Sequence, residues 1–516
     1  MTAATPQKGT TMNLVRRTRQ LAAAAAAVLA LATTGCGTDA GAASGESTLR
    51  WAVALPAHWD PVVSGSGAQF RILSLAYASL TEIDEQGKAV PSLAQGWDYN
   101  STGDQVTFHL RPNLKFTDGE PLNAQAVKLY LERAKTQKNS ALFGDLTSIK
   151  EITASGDLDV VVNLTQVDYQ IPLLLGERVA QITSPKAAQD PVKLDQNPVG
   201  AGPFVVTEFV PGSHVYLKKN ADYWDAANIH IDRVELHAAP DNATIVSSLK
   251  TGVYDLAYLD ASQVKAAKAA GLDVVLQPGF NASNISINVN KKPFDNPKVV
   301  DAVRYAVNRQ EFVDKVTFGY GKATDQPFPP GYIAYDEKSA GQFPYDPAKA
   351  VQLLAEAGFQ PGQIKLDLVI PAQSTAAEIV QAQLGAVGIT VSIKVDPNWS
   401  TPFFAKDLTL SLYGTTGRES PVQTLTAHFG PNGPLNLSTP YQPEGFEAAV
   451  SLARRTPLDS PDYAANLQAA TRAGLASRAL VFTYAPTNIF VKSTRVSALP
   501  AIPGQIHWTG VTVAAS

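Results

Sequence analysis

The sequence predicts a two-lobed α/β protein, and three observations predict it. A chain of 516 residues is longer than one hydrophobic core usually supports, so at ~150 residues per domain two or three bodies are expected. Residues 281–309, NASNISINVNKKPFDNPKVVDAVRYAVNR, change period half-way. Ile285, Ile287 and Val289 alternate with Asn284, Ser286, Asn288 and Asn290, the pattern of a half-buried strand. Lys291, Lys292 and Pro293 then hold the backbone extended, and Asn296 before Pro297 sets the N-cap of a helix striped by Val299, Val300, Val303 and Val307. Alone, such a segment reads equally as a βα step inside one domain; past the middle of a long chain it favours a crossover between two lobes. Thirdly, strand and helix signals occur on both sides of it.

Lys and Arg total 42 against 46 Asp and Glu. Lys8, Arg16, Arg17 and Arg19 all precede Cys36 and no acid does, so the part after residue 35 carries 38 basic against 46 acidic residues, a net charge of −8. That mildly acidic balance argues against nucleic acid as a partner. The N-terminus has the grammar of a secretion signal over residues 1–35: basic residues Arg16, Arg17 and Arg19, an apolar run over 21–31, then Thr33, Thr34 and Gly35 before Cys36. The run is shorter than the ~20 residues of a membrane span. A start at Met12 would leave a more compact signal, and general secretion is expected over twin-arginine export because Arg19 and Gln20 stand where apolar residues belong. Cys36 is the only cysteine, placed where a bacterial lipobox puts its acylated residue, with Thr33 in place of the usual leucine. With Cys36 lipidated, the exported body has no disulfide, cysteine metal site or thiol nucleophile.

Residues 36–48, rich in Gly, Ala, Ser and Thr, read as a flexible tether. A strand is expected over 49–55, then a loop containing Trp59 and the Ser64–Ser66 run, then a helix from about Ala68 with Leu73, Ala76, Tyr77 and Leu80 on one face. Residues 97–110 form a hairpin by alternation of Val106, Phe108 and Leu110, and Asn123 caps a helix with Val127, Tyr130, Leu131 and Ala134.

The block over 91–133, PSLAQGWDYNSTGDQVTFHLRPNLKFTDGEPLNAQAVKLYLER, closely resembles the signature of the family 5 extracellular solute-binding proteins, the peptide- and nickel-binding lipoproteins of ABC importers. That signature runs P-x-LA-x-x-W, a hairpin, then F-x-LR-x-x-x-x-F-x-DG-x-x-x-x-A-x-x-V. Residues 197–224, 303–313, 345–359 and 381–393 resemble further blocks of the family, with Ala201 where threonine is usual. The resemblance implies a two-lobed periplasmic-binding-protein fold with an extra subdomain in lobe one. Lobe I would span 49–283 with the inserted subdomain, lobe II 284–484, and 485–516 would return to lobe I, the two lobes being joined by crossing strands near 284–293 and 484–491. It implies a non-enzymatic, monomeric protein, exported and lipid-anchored on the outer side of the cytoplasmic membrane, that hinges shut on a small solute and delivers it to an ABC permease.

The residues themselves offer no catalytic set. There is no GxSxG elbow, no P-loop and no HExxH among the seven histidines. His230 and His237, seven apart in an alternating stretch, point to opposite faces and form no metal pair. Ser247–Lys250 and Lys250–Gly252 match SxxK and KTG, but they overlap, and a helix over 241–250 ended at Gly252 before a strand at 254–258 accounts for them. Gly200 and Gly202 read as a turn before Pro203 and the strand 204–209. No cofactor or metal is expected, although nickel in this family can arrive inside a chelator. A ligand sensor or adhesin on the same scaffold, or a lipid-anchored hydrolase, are the alternatives.

Residues 398–421, NWSTPFFAKDLTLSLYGTTGRESP, resemble the family segment that reaches into the cleft. The resemblance implies ligand contacts from Trp399, Tyr413, Gly414, Thr415, Thr416, Arg418 and Glu419; from lobe I, Trp59 and Ser64 are candidates because their Gly/Ser-containing loop looks exposed, and it either faces the ligand or merely turns. Where the oligopeptide binders carry an aspartate for the peptide's α-ammonium, this chain has Thr415, Thr416 and Gly417. Two readings follow. If no acid replaces that aspartate, Arg418 favours a carboxylate or phosphate, and the solute is a modified peptide, sugar-containing or anionic. If Glu419 swings in as the substitute acid, the cleft takes an ordinary peptide with a free amine.

Overall fold

The computed structural model describes residues 46–64, 67–414, 418–500, 502 and 506–514. The secretion signal, Cys36 and most of the tether lie outside them. Two large mixed sheets organise the body. In lobe I seven strands run in the order Asp273–Pro278, Thr487–Lys492, Leu256–Tyr258, Thr48–Val53, Arg233–Ala238, His214–Lys219 and Phe204–Val210. Thr48–Val53 is central and parallel to both its neighbours. Lobe II has six strands in the order Lys322–Ala323, Leu480–Ala485, Ser283–Ile287, Leu410–Gly414, Ile364–Ile370 and Ile389–Val395. A separate antiparallel sheet, Ala94–Tyr99, Gln105–Leu110, Asp159–Leu164 and Ile149–Ser155, carries the hairpin, and the capped helix Ala124–Thr136 packs on it.

The chain passes between the two large sheets twice. Asp273–Pro278 pairs in the first sheet and Ser283–Ile287 in the second, so residues 279–282 make the outward crossing. Leu480–Ala485 and Thr487–Lys492 belong to opposite sheets with only Pro486 between them.

The elements around the first crossing follow local chemistry, with two departures. The Asn296 side chain accepts from the Lys298 N–H at 3.1 Å, starting the helix Pro297–Ala306, whose Val299, Val300 and Val303 pack under Ile285 and Ile287. The strand itself is not half-exposed, because it is an inner strand covered on both faces. Asn284, Ser286 and Asn288 are as buried as their apolar neighbours. Their polar atoms are therefore paired inside: Ser286 Oγ donates to Asn284 Oδ1 at 2.8 Å, and Asn288 Nδ2 donates to the Lys406 and Leu408 carbonyls. Nor are Lys291–Pro293 extended; they form a turn in which the Phe294 N–H donates to the Lys291 carbonyl at 2.8 Å.

The helix expected from Ala68 to Leu80 stops early, as Gly67–Leu73. The backbone beyond it serves another segment. The Gly202 N–H donates to the Ala76 carbonyl and the Phe204 N–H to the Leu75 carbonyl, both at 2.9 Å, so the buried Ala76, Tyr77 and Leu80 pack from an irregular stretch.

Candidate functional site

The strand Leu410–Gly414 pairs with the crossing strand in the register Ser283↔Gly414 and Asn284↔Tyr413, so the chain leaves the lobe II sheet beside the first crossing. Described residues resume at Arg418. The Ser420 side chain then accepts from the Gln423 N–H and, with Pro421 at the first helical position, starts the helix Pro421–Phe429. This helix start faces lobe I.

Lobe I meets it with the turn Phe143–Asp145, with Gln170, and with Arg178. Asp145 is clasped from both lobes: Arg178 holds one carboxylate oxygen, while Arg418 Nη1 at 2.5 Å and Gln423 Nε2 at 2.7 Å donate to the other. Gln170 Oε1 accepts from Ser420 Oγ at 3.2 Å and from Tyr463 OH at 3.0 Å, and the Tyr169 N–H donates to the Arg454 carbonyl at 3.0 Å. All these contacts are interlobe except the Asp145–Arg178 pair, so the lobes are closed on each other.

Glu419 lies in this closed interface, 8% exposed, and its Oε2 has no hydrogen-bond partner among the described residues. Gln423 Oε1 and Gln170 Nε2, on residues of the same interface, are likewise buried without a hydrogen-bond partner among the described residues. Burial pushes the Arg178 guanidinium down to about 10, Arg418 pushes in the same direction and Glu419 opposes both. Burial also holds His428 down at about 4, so the ring is neutral at pH 7 even though its Nδ1–H donates to the Thr424 carbonyl at 2.8 Å, a bond that pulls the other way. Burial raises Asp168, next to this contact, to about 6, against the pull of the Gln170 N–H and of Arg454.

The predicted site residues are dispersed. Arg418 and Glu419 enter the interface, where Arg418 Nη1 donates to the Asp145 carboxylate. The Trp59 side chain, expected in an exposed loop, is instead fully buried in the lobe I core, edge-on to Phe209 with centroids 6.1 Å apart, although the neighbouring His58 is exposed. Ser64 is buried and donates to Gln69 Oε1 at 2.6 Å. Trp399 stacks edge-on against Phe403 at 5.3 Å over a small lobe II cluster with Leu408 and Leu437. Tyr413 and Gly414 are placed by their strand register alone, and Thr415 and Thr416 lie outside the described residues. His230 precedes the strand Arg233–Ala238 that holds His237, so the two share no strand. Asp145, Gln170, Arg178, Gln423 and Tyr463 were missed, since nothing local marks them and their partners stand more than 200 residues away, except for the Asp145–Arg178 pair. A large open trough lined by Lys292, Pro293, Phe359 and Lys365 lies at the other end of lobe II, where the strand Ile364–Ile370 begins. Among the described residues no group of three or more His, Cys, Asp or Glu side chains is placed to hold a metal ion.

Residues 88–435 match the family described as Bacterial extracellular solute-binding proteins, family 5 Middle. The chain belongs to that family. Di/tripeptide-binding protein 3 of Pseudomonas aeruginosa (strain UCBPP-PA14) is 31% identical over 377 residues, covering 66% of this chain and 70% of that protein. The glutathione-binding protein GsiB of Salmonella typhi is 32% identical over 343 residues, 65% of this chain and 66% of that one. Among solved structures, the ABC transporter-associated periplasmic binding protein DppA from Helicobacter pylori, in complex with the peptide STSA, superposes with a TM-score of 0.79 at 22% identity over 91% of this chain and 98% of its own. Family 5 members are two-lobed extracytoplasmic solute-binding proteins rather than enzymes, and this chain has their fold.

Proposed function

We propose that this family 5 protein captures a small peptide or peptide-like solute carrying a protonated amine between its lobes and hands it to an ABC permease, tethered to the membrane through a lipid on Cys36. The observation that carries the solute class is Glu419. A carboxylate buried with an open oxygen is costly unless a donor meets it, and the nearby cations Arg178 and Arg418 are held by Asp145. An ammonium arriving with the solute would complete the site, with Gln423 Oε1 as a further acceptor. This is the free-amine reading of the sequence, with Glu419 as the substitute acid. The relatives named above as di/tripeptide-binding and glutathione-binding proteins support it.

Calorimetry with short peptides and their N-acetylated counterparts tests it. A charge-assisted bond of ~1.5–3 kcal/mol predicts that acetylation, and separately Glu419→Gln, each weaken binding about ten- to hundredfold. Equal affinity for acetylated and free forms, or an unaffected Glu419→Gln variant, would overturn the proposal.

A further inference from the structure

Asp145 stands between two guanidinium groups, one from each lobe. Its side chain is 6% exposed and both oxygens are used. The pairing is lopsided. Arg178 comes from the same lobe as Asp145, so this contact does not depend on the other lobe. Arg418 and Gln423 come from the other lobe and reach Asp145 only on closure. Removing the carboxylate would leave two guanidinium groups and an amide N–H converging on a space the size of one carboxylate. Burial already disfavours the charge on Arg178, and Arg418 adds to that.

We propose that Asp145 is a specificity-determining residue: it fills from within the protein the anion seat that closure creates between Arg178 and Arg418, and so shuts that part of the cleft to anionic solute groups. A tethered carboxylate reaches the seat at an effective concentration that a dilute solute does not match. Closure is thereby completed by the protein's own acid, and the open carboxylate oxygen of Glu419 is left to a cation. This deepens the proposed solute preference and rests on the same cleft, but the seat can be tested without any solute.

The test is chemical rescue in the full chain. Asp145→Ala should melt below the parent in sodium chloride. Sodium acetate at matched ionic strength should raise its melting temperature saturably, by about 2 °C or more, because a small carboxylate then binds the folded state alone. The parent should show no such rise, nor should Asp145→Ala combined with Arg418→Ala. No acetate-specific rise in Asp145→Ala would overturn the proposal. Should Asp145→Ala not fold, Asp145→Asn keeps the volume and carries the test by small-angle scattering. A larger radius of gyration than the parent supports the clasp, and an unchanged one refutes it. Acetate rescue with no peptide binding would remove the amine reading alone; peptide binding without rescue would remove the seat alone.

Discussion

Replacing Gly202 by alanine puts a Cβ 2.5 Å from the Ala76 carbonyl carbon and from the Tyr77 nitrogen, and 2.8 Å from the Ala76 oxygen. All three are backbone atoms, so no side-chain rotation relieves the contact. The two segments must separate by about 1 Å, which takes the Gly202–Ala76 and Phe204–Leu75 bonds, both 2.9 Å, beyond hydrogen-bonding distance. Overfilling a packed site costs ~1–3 kcal/mol, and two lost backbone bonds add about 1 kcal/mol each, more if they stay dry. The sum is about 3–5 kcal/mol. At ~2.1 cal/mol/K per residue, a body of about 470 residues unfolds with an entropy near 1 kcal/mol/K, so the melting temperature should fall by about 3–5 °C. Scanning calorimetry of Gly202→Ala beside Gly385→Ala checks this. Gly385 sits exposed in the helix Thr375–Ala386 with nothing within 4 Å of an added Cβ, so alanine there should stabilise by about 0.5–1 kcal/mol. A Gly202→Ala protein melting with the parent would refute the packing argument. Lost solute binding at unchanged stability would make the turn a ligand element instead.

Two more outcomes are expected. Asp168 titrates near 6 in the folded protein and near 4 when unfolded, so its contribution is fully present below pH 4 and is lost as pH rises through 6. Asp168→Asn should match the parent in denaturant melts at pH 4 and exceed it at pH 7.5 by up to about 3 kcal/mol; a pH-independent difference would dismiss burial as the cause. Cys36→Ala should move the protein from the membrane to the soluble fraction, and membrane retention equal to the parent's would count against a lipid anchor.

What the sequence determined by itself is what local bonding and one-sided burial determine. Asn296 and Asn123 cap the helices they precede because an Asx side chain reaches an N–H two or three residues on, whatever lies elsewhere. The alternation of Val106, Phe108 and Leu110 found its hairpin for the same reason. Gly200 and Gly202 read as a turn in the sequence; the structure has only a bend at 202–203, and what requires the glycines is the Ala76–Tyr77 backbone pressed against them. Tertiary structure decided which surfaces were covered. Ser283–Ile287 alternates like a half-exposed strand, yet it lies inside a six-stranded sheet where its polar residues pair with one another and with loop carbonyls. Trp59 looked exposed in a Gly/Ser loop and is core, because Phe209 from a strand 150 residues later closes over it. The interlobe clasp was least legible of all. Asp145 and Arg418 are 273 residues apart, and no period or motif spans that distance; only the two crossings at 279–282 and Pro486, by letting one lobe fold over the other, bring a carboxylate and a guanidinium together.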